Sequence, residues 1–258
     1  MSSNGINLTI AGLLILMLIS VLTVAGLIFL FVLHTRTAQS SAPNSDRPRD
    51  AEDKAADRAV GSILDLLGYW LVIPSTNLDA VGQALGLHNA VRCSWSEAIA
   101  RHHDDSLFIS AAFRGWTLVV GRGLPNPLDD PDRCFHFMAR LSHEFGEAQF
   151  FTANKALGHH GWVRARRGKV VRGYCWAGET VWNQGAMTDA ERRVGMQCLG
   201  YGEPQNENAS WAGELPPANS DRIPQLAAAW SFDPGSGEAE ALWEAGCVMG
   251  QLIASTSQ

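Results

Sequence analysis

Hydrophobic and polar positions divide the chain into an uninterrupted apolar segment and a longer region of periodic patterns. Residues 8–33 read LTIAGLLILMLISVLTVAGLIFLFVL, and none of these 26 residues is charged. As a helix the segment would be about 39 Å long, enough to cross a hydrocarbon core of about 30 Å with some tilt. A cleaved signal peptide would have a basic start and an apolar run of only about 7–15 residues. The pattern therefore predicts an uncleaved transmembrane anchor within residues 1–35.

The residues after the apolar segment predict a flexible tether and the side of the membrane on which the domain lies. Residues 36–50, RTAQSSAPNSDRPRD, are small, polar and interrupted by proline, which is typical of a flexible linker. Basic residues follow the segment but none precedes it: Arg36, Arg47, Arg49, Lys54 and Arg58. Under the positive-inside rule, this asymmetry predicts a single-pass protein whose carboxyl-terminal domain is cytoplasmic. A domain on the other side of the membrane is the alternative.

From residue 51 onward, helix patterns alternate with hairpin patterns. Apolar stripes and capping residues predict helices at about 50–67, 78–85, 94–103, 130–145, from 188, 221–230 and 238–252. Between them, β-rich runs lie at 69–75, 107–121, 148–157 and 158–176. Because helices alternate with hairpins and not with single buried strands, we expect one α+β domain over residues 51–258, with a largely antiparallel sheet.

Two hairpins have identifiable turns. Arg114-Gly115 separates two apolar runs, which places Phe113 opposite Trp116. In GHHGWVRARRGKVVRGYCW, residues 158–176, a turn at Arg167-Gly168 places Arg166 opposite Lys169 and Val163 opposite Arg172. This register predicts one face with His160, Trp162, Arg164, Arg166 and Lys169, and another with Val163, Ala165, Val170, Tyr174 and Trp176.

Composition and charge narrow the classes of function. The formal net charge is −6 over 258 residues, so no global positive charge favours nucleic acid as a partner. Nine tryptophans favour either aromatic-rich strands or a binding surface. The five cysteines lie far apart and include no Cys-x-x-Cys, so neither a zinc ribbon nor a redox motif is indicated: Cys93, Cys134, Cys175, Cys198 and Cys247. Scattered cysteines of this kind favour a reducing compartment.

Two groups of histidines have local reasons against metal binding. The run HHDD at 102–105 lies at the end of a predicted helix, where histidine interacts favourably with the helix dipole. His136 and His143 share a helix face with Arg140, whose charge would repel a cation. The sequence therefore predicts no metal site on either group.

His159 and His160 form the remaining histidine pair, and they support an alternative function. With Glu147 or Glu179 close by, the pair would suit a metal-dependent or other hydrolase. No P-loop, dinucleotide-binding glycine motif or nucleophile elbow is present in the sequence. We therefore identify no catalytic residue and expect no cofactor.

The basic hairpin tip allows three interpretations. It can be a solvated surface, since a tip tolerates opposed like charges. It can bind an acidic protein surface or anionic headgroups, or it can read nucleic acid, which the acidic remainder of the domain disfavours. For binding, the candidate residues are His160, Trp162, Arg164, Arg166 and Lys169.

Four blocks of the sequence are similar to a group of uncharacterised bacterial proteins that share them in the same order. The blocks are GWTLVVG, LSHEFGEAQFF, HHGWVRARRGKVVRGYCWAGE and LAAAWSFDP, and the resemblance covers about residues 68–234. Members often have Tyr-His before the tryptophan and Asn-Gly at the turn, where this chain has His159-His160 and Arg167-Gly168. The resemblance implies one bacterial domain. No activity is known for the group, so it implies no site.

The expected function is that of a membrane-anchored protein-interaction module at the bacterial inner membrane. Its partners would be the lipid bilayer, through residues 8–33, and a protein, while nucleic acid is not expected. An immunity role or the organisation of a complex would suit a tryptophan-rich sequence without catalytic motifs, because protein interfaces favour tryptophan, tyrosine and arginine.

Overall fold

Three stretches of the chain are described by the computed structural model: residues 68–101, 105–203 and 219–252. The predicted anchor, the tether and the helix expected at about 50–67 lie outside the described residues, and so do His102 and His103. Within the three described stretches, no helix is long and apolar enough to span a membrane.

The described residues contain a nine-stranded sheet in which neighbouring strands run antiparallel. The strands are β1 (Tyr69–Ile73), β2 (Leu87–Cys93), β3 (Ser106–Phe113), β4 (Trp116–Val120), β5 (Glu147–Asn154), β6 (His159–Arg166), β7 (Lys169–Trp176), β8 (Thr180–Gln184) and β9 (Cys247–Leu252). Their order across the sheet is β2-β9-β3-β4-β1-β5-β6-β7-β8. The prediction of an α+β fold with a largely antiparallel sheet is confirmed.

The described residues also contain six α-helices that pack with this sheet, and three of these helices begin where capping residues predicted. They are α1 (Leu78–Leu85), α2 (Trp95–Ala100), α3 (Pro131–Phe145), α4 (Asp189–Val194), α5 (Asn219–Trp230) and α6 (Glu240–Glu244). The capping boxes before α2 and α4 are both formed, by Ser94 with Glu97 and by Thr188 with Glu191. Helix α3 starts at Pro131, and its cap Asp130 accepts a hydrogen bond from the Arg133 backbone nitrogen at 2.9 Å. These helix starts depend on hydrogen bonds between residues that are close in the sequence, so the sequence predicts them.

The helix predicted at 238–252 is confirmed only as far as Glu244, and the prediction is wrong beyond that residue. A short 3₁₀ turn at Gly237–Ala239 and α6 are followed by Gly246, whose φ of 74° ends the helical path. The chain then continues as β9, which inserts between β2 and β3. Pairing on both sides fixes these residues as a strand, and such a long-range arrangement overrides local helix propensity. Strands β2 and β8, at the two edges of the sheet, also have no counterpart among the predicted elements.

Both faces of the sheet are covered by helices, and the two sides of the core differ in composition. One side, which we call the tryptophan-rich face, packs against α2, α4, α5 and α6 and includes Trp70, Trp162 and Trp230. The opposite face packs against α1 and α3 and includes Leu71 and Phe150. Because side chains alternate along a strand, Trp70 and Leu71 on β1 belong to different sides of the core. A central strand buried on both faces therefore reads as a continuous apolar run.

Candidate functional site

The β6–β7 hairpin, which carries the candidate residues, turns where the sequence predicted. Arg167 and Gly168 have φ angles of 49° and 81°, as a two-residue hairpin turn requires, and Arg166 lies opposite Lys169. The turn is attached to the carboxyl end of α3. The Gly168 nitrogen donates to the Ser142 hydroxyl at 3.1 Å, and the Arg167 nitrogen donates to the Gly146 carbonyl at 2.9 Å. These two hydrogen bonds hold the tip, residues 166–169, in place.

A β-bulge at Val171 changes the register of the hairpin beyond the turn. Ala165 pairs with Val170, but Arg164 pairs with Arg172, so Val171 is an extra residue, and its side chain is 43% exposed. The predicted pairing of Val163 with Arg172 is wrong, because Val163 lies opposite Gly173. A shift of one residue exchanges the two faces of a strand.

The bulge places the distal part of β7 on the tryptophan-rich face. The prediction that grouped Tyr174 and Trp176 with Val163 is therefore wrong: both rings join Trp162 on the tryptophan-rich face, while Val163 packs on the opposite face. Trp162 and Tyr174 have ring centroids 4.9 Å apart. Arg172, which the predicted register placed among apolar side chains, lies on the same face as Tyr174.

Arg172 forms a buried ion pair with Glu191, the third residue of α4, which completes the capping box with Thr188. The Arg172 Nε lies 2.7 Å from the Glu191 Oε1, and the side chains are 1% and 0% exposed. The same carboxylate oxygen accepts a hydrogen bond from Trp162 Nε1 at 2.7 Å, and Glu191 Oε2 accepts one from the Thr188 nitrogen at 2.6 Å. Arg172 Nη1 donates to Asn183 Oδ1 at 2.9 Å. Each charge thus has several partners, as a buried ion pair requires.

His160 is buried and committed to hydrogen bonds within the protein. Its Nδ1 lies 2.9 Å from the Gly158 carbonyl, and its Nε2 lies 3.0 Å from Asn219 Nδ2. A carbonyl only accepts, so Nδ1 carries the hydrogen and Nε2 accepts from the amide. Burial lowers the pKa of His160 to about 4, so the ring is neutral at pH 7. Neither ring nitrogen of His160 therefore has a lone pair free to bind a metal or another ligand.

Glu147 interacts with the basic residues of the hairpin and not with the histidine pair. Its carboxylate accepts hydrogen bonds from Arg164 Nε at 2.7 Å and from Arg166 Nε at 2.8 Å. Partial burial raises the pKa of Glu147, but the hydrogen bonds from Gln149 and Arg164 outweigh it, so the pKa lies below its ordinary value. In the β5–β6 pairing, Glu147 lies opposite Arg166, whereas Ala153 lies opposite His160. Within the described stretches, no group of three or more His, Cys, Asp or Glu residues could hold a metal ion.

The five candidate binding residues separate into a buried and an exposed set. Trp162 and His160 are 0% and 7% exposed and belong to the core. Arg164 is mostly covered, at 16% exposure, and its guanidinium lies 5.1 Å from the Trp230 ring centroid. Arg166 and Lys169 are exposed at the tip, together with Arg167, which was not among the residues predicted to bind. Of the candidate residues and Arg167, the side chains that remain available to a partner are therefore Arg166, Arg167 and Lys169.

Comparison with known proteins gives no match: no family model, curated protein sequence or solved structure matches this chain.

Proposed function

We propose that this chain is a membrane-anchored protein-interaction module of a bacterium. In this proposal, residues 8–33 cross the inner membrane and the domain from residue 51 lies in the cytoplasm. The domain binds an acidic surface of a partner protein through Arg166, Arg167 and Lys169. Neutralising a toxin, as an immunity protein does, or organising a membrane complex are the roles that such a module would serve.

The proposal is carried by the exposure of three cations on a tip whose backbone is held in place. Backbone hydrogen bonds to Ser142 and to the Gly146 carbonyl fix the turn, so little backbone ordering would accompany binding. Arg166 shares the Glu147 carboxylate with Arg164, whereas Arg167 and Lys169 have no ion-pair partner among the described residues. Two cations at a rigid tip favour a partner surface of opposite charge, because complementary charges set orientation and association rate.

The charge count favours a protein over a lipid surface as the occupant. Polybasic segments that bind anionic headgroups usually contain about 4–8 Lys or Arg residues. The tip exposes fewer, and one of them already pairs with Glu147. Arginine is enriched at protein interfaces, where its planar guanidinium can bind a carboxylate with two hydrogen bonds.

Photo-crosslinking in a bacterial cell tests the proposal with the full chain. A photoreactive amino acid replaces Val171, which is exposed and lies two residues from Lys169. We expect a protein adduct that weakens more than about tenfold with Arg167→Glu plus Lys169→Glu, since opposed like charges at an interface cost several kcal/mol. Arg133→Glu is the control, because Arg133 is exposed near the start of α3, about 13 Å along the helix from Ser142, which the tip contacts.

The identity and yield of the adduct distinguish the two roles and can also contradict the proposal. A delivered toxin would support the immunity role, and a component of a membrane assembly would support the organising role. An adduct with lipid alone would assign the tip to anionic headgroups. Equal adduct yields for both charge reversals, or no adduct at all, would reject the tip as a binding surface.

The alternative of a metal-dependent or other hydrolase receives no support from the described residues. His160 uses both ring nitrogens in hydrogen bonds, and Glu147 is bound to arginines. Glu179 is exposed in the connection between β7 and β8. A stoichiometric metal in the purified full chain, measured by mass spectrometry, would reopen this alternative.

A further inference from the structure

Cys93 and Cys247 are neighbours across two strands although 154 positions separate them in the sequence. Cys93 ends β2, Cys247 begins β9, and the two residues lie directly opposite each other in the antiparallel pairing. Their Sγ atoms are 3.8 Å apart, and both residues are free thiols. Directly opposed residues in antiparallel strands have Cα atoms about 4.5–5.5 Å apart, which lies inside the range that a disulfide spans.

We propose that Cys93 and Cys247 are a reversible disulfide site, oxidised by low-molecular-weight disulfides of the glutathione class. The site is independent of the hairpin tip, which lies on β6 and β7 towards the other edge of the sheet. Closing the bond requires side-chain rotation and no change of strand pairing, because the two residues already share a register position.

The surrounding packing holds the two strand ends together. A Cβ atom on Gly246 would lie 2.9 Å from the Cys93 carbonyl oxygen, so the glycine permits a close approach of the two segments. Trp95 follows Cys93 by two residues, and its ring centroid lies 4.6 Å from that of Trp243. Trp95 Nε1 also donates to the Leu242 carbonyl at 3.3 Å. The segment after Cys93 and the segment before Cys247 are thus fixed against each other, which keeps the sulfurs adjacent.

The two thiols differ in exposure, and this difference predicts the order of the chemistry. Cys93 is partly exposed, whereas Cys247 is 5% exposed, and burial together with the neighbouring Cys93 raises the pKa of Cys247 above its ordinary value. The Cys93 thiolate therefore attacks the oxidant first, forming a mixed disulfide and releasing one glutathione thiolate. Cys247 then loses its proton and attacks the Cys93 sulfur, which releases the second glutathione. Two protein thiols are oxidised by two electrons, and one glutathione disulfide is reduced to two thiols.

The bond would attach an exposed edge of the sheet to its interior. Strand β2 is at the edge and its residues are mostly exposed, while β9 is paired on both sides. A link between residues this far apart in sequence strongly restricts the unfolded chain. Oxidation would therefore stabilise the domain and link the edge strand β2 covalently to β9.

Glutathione oxidation of the full chain in mild detergent tests the proposal. After treatment and alkylation of remaining thiols, non-reducing peptide mapping should show one cross-link, between the peptides of Cys93 and Cys247. The apparent melting temperature should rise by roughly 5–15 °C and return after reduction. Cys134 and Cys175 are internal controls that should stay reduced, because both are fully buried.

Single variants separate the two steps. In Cys247→Ser, glutathione should remain on Cys93 as a stable mixed disulfide, and in Cys93→Ser the Cys247 thiol should stay largely unmodified. Absence of the cross-link in the native chain, or cross-links spread over Cys134 and Cys175, would overturn the proposal. A cross-link without a rise in melting temperature would overturn the stabilising effect assigned to it.

Discussion

Arg172 and Glu191 form an ion pair inside the core that joins β7 to the first turn of α4. The distance from Nε to Oε1 is 2.7 Å, and neither side chain is more than 1% exposed. Glu191 also closes the capping box with Thr188 and accepts the indole hydrogen of Trp162. One carboxylate therefore connects a strand, a helix start and the tryptophan-rich face.

Removing the two members of this pair separately should cost more in total than removing both together. Arg172→Met leaves the Glu191 carboxylate buried without its cation, and we expect a loss of about 3–5 kcal/mol in unfolding free energy. The double variant Arg172→Met, Glu191→Leu should lose less than the sum of the single variants. Urea denaturation of the full chain in mild detergent, followed by tryptophan fluorescence, measures these values. Additive losses would show that the two side chains are not coupled.

Substitutions along the β6–β7 hairpin should separate its solvated tip from its buried base. Lys169→Ala should change the unfolding free energy by less than about 0.5 kcal/mol, as an ordinary surface change does, and Arg166→Ala by at most about 1 kcal/mol. Trp162→Ala should cost about 3–5 kcal/mol, because the ring is fully buried. Large losses at Lys169 with a small loss at Trp162 would contradict the observed register.

Gly168 should tolerate a β-branched residue poorly. Its φ of 81° is in the left-handed region that valine rarely adopts, so Gly168→Val strains the turn. We expect a loss of about 1–3 kcal/mol by the same denaturation measurement. Gly168→Asn is the matched control, because asparagine tolerates this conformation better and should cost less.

His160 should make the domain sensitive to mild acid. Its folded pKa of about 4 lies below the ordinary 6.5, so the unfolded chain binds the proton more readily. As the pH falls from about 6.5 towards 4, the free energy of unfolding therefore decreases by roughly 3 kcal/mol because of His160. Above pH 6.5, titration of His160 does not change the stability. Urea denaturation at a series of pH values should show a weaker dependence for His160→Gln. An unchanged dependence would assign the acid sensitivity to other groups.

The membrane assignment has its own test, because residues 8–33 lie outside the described residues. Alkaline phosphatase fused after Gln258 should be inactive in a bacterial host, and a fluorescent protein at the same position should be fluorescent. The reason is the excess of Lys and Arg after Leu33. Active phosphatase would place the domain in the periplasm.

Local features of this protein could be predicted from its sequence because their interactions lie within a few residues. The capping boxes at Ser94 and Thr188 and the turn at Arg167-Gly168 depend on adjacent side chains and on backbone φ, and all three are confirmed. The α+β class follows for the same reason, since alternating helix and hairpin patterns are local signals. The basic tip could likewise be found from its composition.

Long-range strand pairing determined the features of the fold and of the site that could not be predicted from the sequence. No local signal placed the bulge at Val171, and that single extra residue moved Tyr174 and Trp176 to the other face of the sheet. Residues 247–252 became a strand because β2 and β3 provide hydrogen-bonding partners on both sides. The Arg172–Glu191 pair and the Cys93–Cys247 pair exist because distant segments meet in the sheet. Contacts across many residues depend on the register of whole strands, and a one-residue shift changes all of them together.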